Sequence, residues 1–438
     1  MASPIETTVQ PPYIGKWRVS SVLPGKWRQR VLMLGSAMAL SVYYLHYAAG
    51  SDNAAGFENG DTGASSPLTL TAKLIAVTLI VLGLIPIRLR IDSAFALTAL
   101  YCAALASFLG AWAIFGATND TFFFNTVLQL PILLALSGTR TYLDYPKWFR
   151  FIVRLVAVQA LLDIAVIATG RNLWGYGAFV GGVGNPSSFG LICVLGCAFC
   201  LMHPRAGRHR RPLAVWLAIA AIMTKSLFAT LSIFVIALVW ASRSWRRMIA
   251  SVILGCIAAT AVSYFAFGAA DEGDPSFVVR KMFAAAALVG FTRSDSDVSE
   301  SGSISARLEI HERTYNAARQ QPLQLLIGHF RGLVYWPMDS QILTYLGSFG
   351  LPILLAFLSI DLLWTYRAWR NPAADGGFGV LTMLLFTFIF LTNRILDYFP
   401  MASVYFLCVM ASRRRDLSAN ASAGKFSVGQ REPWRPVE

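Results

Sequence analysis

Apolar stretches of about 16 to 24 residues recur along almost the whole chain, each long enough to cross a bilayer core of ~30 Å as a helix. That recurrence restricts the fold more than any other feature. In hydrocarbon, a helix is the one open segment that pairs its own backbone amides. Apolar residues make up 56% of the 438 positions and charged residues 14%, with mean hydropathy +0.55. A soluble domain of this balance has too little polar surface to cover itself. A transmembrane β-barrel needs short alternating segments, which the sequence lacks. The expectation is an all-α polytopic integral membrane protein.

About twelve spans are expected, at roughly 31–49, 69–87, 92–116, 122–137, 151–169, 187–202, 213–223, 226–241, 248–267, 340–364, 378–393 and 400–412. The seventh and the last are short, which suits tilted, re-entrant or enclosed segments. Residues 1–30 form a basic N-terminal segment without a signal-peptide cleavage pattern. Residues 268–339 form one large loop, and 413–438 a polar tail expected to be disordered. No internal repeat is apparent.

The net charge is +14. A nucleic-acid reading fails, because the basic residues punctuate the apolar stretches rather than gather on one domain. They carry topology instead. With the N-terminus inside, the inner loops and tails hold about 25 Lys and Arg, against about 10 in outer segments, most of them in the long loop. Both termini are therefore expected in the cytoplasm. Within the long loop, "TRSDSDVSESGS" reads as flexible, and "SISARLEIHERTYNAARQQP" as a helix stopped near Pro322. Arg307 and His311 lie four apart and share a face of that helix.

Polar groups concentrate at the expected outer mouth, where each costs desolvation unless it is paired or used. Arg171 follows the fifth span, and Asn185 sits in "GGVGNPSSFG" at the entry to the sixth. Lys225 occupies the turn "MTKSLF". Arg307, His311, Arg313, His329, Arg331 and Asp339 lie in or near the long loop, and Arg394 with Asp397 in "NRILDYFP". Such a vestibule suits a lipid diphosphate: Arg offers a planar donor fork and Lys a point charge. His329 or Asp339 could take a proton from an attacking sugar hydroxyl.

Each residue also has a plainer reading. Lys225 is a snorkelling turn residue, His311 and Arg313 belong to a solvated face, and His329 is a structural loop residue. Arg394 and Asp397 are an ion pair fixing a short loop. "GNPSSFG" is a turn before a helix, or a set of freed amides facing an anion. Cys193, Cys197 and Cys200 share one segment without His or carboxylate, so they read as packing residues rather than a metal site. "DSD" at Asp295–Asp297 lies in an acidic, Ser-rich context and reads as loop. No metal and no cofactor is expected. Asp163 and Asp361, within spans, have no partner legible in the sequence.

The stretch "SARLEIHERTYNAARQQPLQLLIGHFRGLVYWPMDSQILTYLGSFGLPILLAFL" resembles the signature region of the O-antigen ligase and Wzy-type polysaccharide polymerase superfamily. Arg307 matches the arginine that opens a helix in the large periplasmic loop. "PLQLLIGHF" matches the family's Gly segment, Asp339–Ser340 its polar pair, and "TYLGSFGLPILL" its following helix. "GNPSSFG" and "MTKSLFATLSIFVIAL" are similar to two further family segments, with Lys225 where Arg is usual. Ligases of the family show His then Asn at the polar pair. This chain has Asp339 and Ser340, which favours the polymerase branch, exopolysaccharide polymerases of the xanthan and acetan kind included.

The resemblance implies a GT-C-like membrane fold and metal-free glycosyl transfer at the periplasmic face of the bacterial inner membrane. The implied substrates are undecaprenyl-diphosphate-linked oligosaccharide repeat units held among membrane lipid. A chain-length regulator and an export complex are implied partners, and nucleic acid is not. Arg307, Lys225 and Arg171 would hold the donor diphosphate, with Asn185, His311, Arg331 and Arg394 contributing to substrate binding. His329 or Asp339 would orient or deprotonate the acceptor. Two alternatives stay open: a ligase moving finished glycan to an acceptor, and a non-enzymatic flippase or transporter.

Overall fold

The computed structural model describes residues 25–45, 67–85, 93–115, 121–138, 144–170, 177–241, 312, 315–316, 319–320, 322–328, 340–370 and 377–413. The expected span 248–267, most of the long loop and both tails lie outside them.

Among the described residues there is no strand, and the apolar stretches are helices. They are α1 (Gly25–Ser41), α2 (Pro67–Leu84), α3 (Ser93–Phe115), α4 (Thr121–Gly138), α5 (Tyr145–Ala168), α6 (Pro186–Met202), α7 (Arg210–Met223) and α8 (Leu227–Ala241). After the undescribed part of the loop come α9 (Pro322–Ile327), α10 (Gln341–Arg370), α11 (Phe378–Thr392) and α12 (Met401–Arg413). By length and composition, α2, α5 and α10 are long and apolar enough to cross a membrane, and shorter apolar helices accompany them.

Local chemistry sets where several helices begin. Asp144 Oδ1 accepts the Lys147 amide at 3.2 Å to open α5, and Pro146 follows where its missing N–H costs nothing. Asn185 Oδ1 accepts the Ser188 amide at 3.0 Å, with Pro186 as the first residue of α6. Ser340 Oγ accepts the Leu343 amide at 3.3 Å and opens α10. Pro322 is the first residue of α9, and residues 319 and 320 before it are also helical.

The helices pack against one another, and α6, which lies against α5, α7, α8 and α11, is buried along nearly its whole length. Large apolar side chains also face outward, among them Leu161 and Ile164 on α5, Leu238 on α8, Leu362 on α10 and Leu391 on α11. An apolar exterior around a packed core suits a helix bundle in lipid. Helices α1 and α2 pack closely, with their backbones nearly touching. A Cβ on Gly35 would fall 2.8 Å from the Ile80 nitrogen, and one on Gly83 2.9 Å from the Leu32 nitrogen. Small residues permit such approach between membrane helices.

A second glycine contact joins the end of the long loop to the bundle. Gly328, just after α9, has φ +65°, and Gly350, inside α10, has φ +77° with ψ −178°. A Cβ on Gly328 would meet the Gly350 nitrogen at 2.4 Å, and one on Gly350 the Gly328 nitrogen at 2.6 Å. Gly350 also kinks α10, with Pro352 just beyond it. Gly350→Ala therefore combines backbone strain with a clash, and should cost about 2 kcal/mol or more. A lowered melting temperature in detergent is expected, with Gly110→Ala as control, since a Cβ there meets nothing within 4 Å. A G350A protein as stable as the wild type would mean that this docking does not form.

Candidate functional site

Arg171, Arg307, His311, His329, Arg331 and Asp339 lie outside the described residues. Asn185, Lys225 and Arg394 are described, and all three sit at one end of the bundle. The Phe179 amide donates to the Met223 carbonyl at 3.1 Å, tying the segment before Asn185 to the turn that carries Lys225. The Tyr43 amide donates to the Gly182 carbonyl at 3.0 Å, bringing in the end of α1. Phe228, at the start of α8, stacks on Phe388, near the end of α11, with ring centroids 5.6 Å apart. The Gln341 amide donates to the Asn393 carbonyl at 3.3 Å and brings the start of α10 beside the Arg394 turn.

Asn185 is buried, and its side-chain oxygen is engaged in the α6 cap. The freed-amide reading of "GNPSSFG" therefore meets a competing use of the same residue. Lys225 follows the last turn of α7 and has φ +55°, a left-handed conformation that favours glycine. Its amide donates to the Ile222 carbonyl at 2.9 Å. A side chain in this conformation costs roughly 1 kcal/mol. Burial pushes the half-buried Lys225 ammonium below its ordinary value of 10.5.

Arg394 Nη1 lies 3.9 Å from Asp397 Oδ2. Asp397 is fully buried in the short 3-10 turn Ile395–Asp397, and its surroundings form the densest polar network among the described residues. The Thr126 hydroxyl lies 3.1 Å from both Asp397 Oδ1 and the Leu396 carbonyl, and can donate to either. Gln341 Nε2 donates to Asp397 Oδ1 at 3.4 Å, and Gln341 Oε1 accepts the Leu396 amide at 2.9 Å. Asn125 Nδ2 donates to the Asp397 carbonyl at 3.2 Å. Gln129 Nε2 donates to the Asn125 carbonyl at 2.6 Å, and Gln129 Oε1 accepts both the amide and the hydroxyl of Ser403 at 2.7 Å. Ser340, half of the polar pair read from the sequence, donates its hydroxyl to the Phe390 carbonyl at 3.0 Å, so it holds α10 against α11.

Lys73 joins this network, and the sequence reading passed over it. It lies on α2, 7% exposed, with Nζ 3.0 Å from Asn125 Oδ1 and 5.7 Å from the Phe399 ring centroid. The signal was one lysine inside "PLTLTAKLIAVTLIVLGL", an apolar run that spacing rules treat as uniform.

The two acids without legible partners have local ones. Asp163 Oδ2 accepts the amides of Val180 at 2.8 Å and Gly181 at 2.7 Å. Asp361 accepts the Tyr405 hydroxyl at 2.8 Å, and the Thr387 hydroxyl lies 2.9 Å from its other oxygen. Cys193, Cys197 and Cys200 are buried free thiols on one helix, and among the described residues no three His, Cys, Asp or Glu are grouped to hold a metal.

No protein-family model matches the chain, and no curated protein matches it.

The strain at Lys225 can be separated from its charge. Lys225→Gly relieves the left-handed backbone and should raise stability by up to about 1 kcal/mol, whereas Lys225→Ala keeps the strain. Melting temperatures of the two variants in detergent decide the point. A K225G protein no more stable than K225A would exclude the left-handed conformation.

Proposed function

We propose that the chain is a polysaccharide polymerase of the bacterial inner membrane, joining undecaprenyl-diphosphate-linked repeat units at the periplasmic face. In this reading its apolar segments make about twelve spans of a GT-C-like fold, with both termini in the cytoplasm. The reading rests on the resemblance of residues 305–358 to the ligase and polymerase superfamily. The structural observation that best supports it is that Lys225 and the ion-paired Arg394 lie in two turns at one end of the bundle. A lysine held in a conformation better suited to glycine is more readily understood if its ammonium is used. The contact of Gly328 with Gly350 also joins two segments that carry the resemblance.

The chemistry follows from the substrate. The acceptor hydroxyl oxygen forms a bond to the anomeric carbon of the donor glycan. The bond from that carbon to the diphosphate oxygen breaks, and undecaprenyl diphosphate leaves with the electron pair. The hydroxyl proton passes to a base, for which His329 and Asp339 are the candidates. Lys225, Arg394, Arg307 and Arg171 would stabilise the negative charge growing on the leaving diphosphate. Asp339–Ser340 in place of the ligases' His–Asn favours polymerisation over ligation.

The lipid-linked glycan pool of a deletion strain tests this, read by mass spectrometry with sidedness. Single complete repeats on the outer leaflet are expected. Long chains stranded on the carrier would mean a ligase, and single repeats trapped on the inner leaflet a flippase.

The lowered Lys225 value adds a pH test. The unfolded chain keeps this proton at a pH where the folded protein releases it, so stability rises with pH across the window below 10.5 while the ammonium's charge is lost. Polymerisation that uses this charge should decline in that window, and Lys225→Arg, whose guanidinium stays charged, should extend activity to higher pH. Identical alkaline limbs for the two proteins would remove Lys225 from charge stabilisation.

A further inference from the structure

Lys73 is the one ionised group in the Asp397 network whose presence that network does not explain. Its ammonium has three donors. One reaches Asn125 Oδ1, and the Phe399 ring provides a weaker cation–π contact. Lys73 makes no ion pair with any described residue, and Asp397 is reached only through Asn125. A neutral donor at this position could make the same bond to Asn125 without burying a charge. A buried charge without a counter-ion is costly, and more so among apolar helices.

Its location is informative. Lys73 lies six residues into α2, about 9 Å along the helix from Pro67. It sits beside the segment 394–399, so its ammonium and the Arg394 guanidinium serve the same short stretch of chain.

We propose that Lys73 is an anion-binding residue, its ammonium taking a phosphate oxygen of a diphosphate-bearing ligand at the Arg394 end of the bundle. This rests on the lipid-diphosphate reading above and deepens it by adding a residue from a different helix. Asn125 then acts as a positioning residue, holding the ammonium when no anion is bound and linking it to the turn that presents Arg394.

The test uses the full chain, purified and placed in phosphatidylcholine nanodiscs, with undecaprenyl diphosphate and inorganic pyrophosphate as separate probes. Wild-type binding should weaken with salt. Lys73→Met and Lys73→Gln should each weaken it about tenfold or more, and Lys73→Arg only a few-fold. The melting temperature of K73M should not fall, since the variant removes a buried charge. K73Q keeps a donor for Asn125, so it separates charge from hydrogen bonding. Binding of the lipid but not of pyrophosphate identifies a lipid headgroup; equal binding of both identifies free phosphate chemistry. Wild-type affinity in K73M or K73Q overturns the proposal. So does a K73R protein as weak as K73M, and so does failure of both neutral variants to fold, which would make the ammonium a structural group. A wild-type protein that binds neither probe removes the lipid-diphosphate reading itself, whereas normal wild-type binding with unchanged variants removes only Lys73.

Discussion

The contacts converging on Asp397 hold α4, the start of α10 and the Ile395–Asp397 turn together. Its carboxylate has no exposed surface, yet hydroxyl, amide and guanidinium groups from α4, α10 and its own turn surround it. A buried carboxylate without such partners would cost several kcal/mol. With them it fixes three segments that are far apart in sequence. Thr126 and Gln341 each contact both Asp397 and Leu396, so the turn is held by its backbone as well as its side chain. The placement of Arg394 at the end of the bundle follows from that turn. The start of α10 follows too, since Gln341 is its first residue and Ser340 its cap.

The two acids inside the bundle show how a buried carboxyl group can be structural. Asp163 accepts two consecutive amides and thereby shapes the segment that leads into Gly181–Val183. Asp361 is held by hydroxyls from α11 and α12 and so ties three helices together. Both oxygens of Asp361 have a hydroxyl partner, whereas Asp163 is engaged through Oδ2, its Oδ1 being buried without a hydrogen-bond partner among the described residues. Lys73 differs, because a neutral residue could do its structural work. Lys225 differs in another way, because the backbone conformation it occupies favours a residue without a side chain.

Much of the helix layout could be read directly. Apolar runs mark the helices, and Asn185 with Pro186 signals the start of α6, whereas α5 opens at Tyr145 behind its Asp144 cap, ahead of the apolar run expected from 151. The candidate site was less legible, for physical reasons. Lys73 touches Asn125 across 52 positions, and that contact depends on how α2 and α4 pack. Gly328 and Gly350 are two ordinary loop and helix glycines until the fold brings their backbones together. Asp361 sits in an apolar run whose partners come from two other helices, so no local spacing pointed to them.

The distribution of charge bears on the mechanism. Cations spread over a surface would be screened by water and salt and would bind anions weakly. Lys73, Lys225 and Arg394 are instead partly or wholly withdrawn from solvent, on three separate elements at one end of the bundle. Withdrawal makes each charge costly in the free protein and its field stronger toward an arriving anion. Asp397 limits the cost at Arg394 and Asn125 limits it at Lys73, without either side chain cancelling the Lys73 charge. In the polymerase reading proposed above, a diphosphate whose lipid tail stays among apolar helices would bring negative charge to these cations. In that reading, cations fixed in place before the ligand arrives would stabilise the charge that grows on a leaving diphosphate.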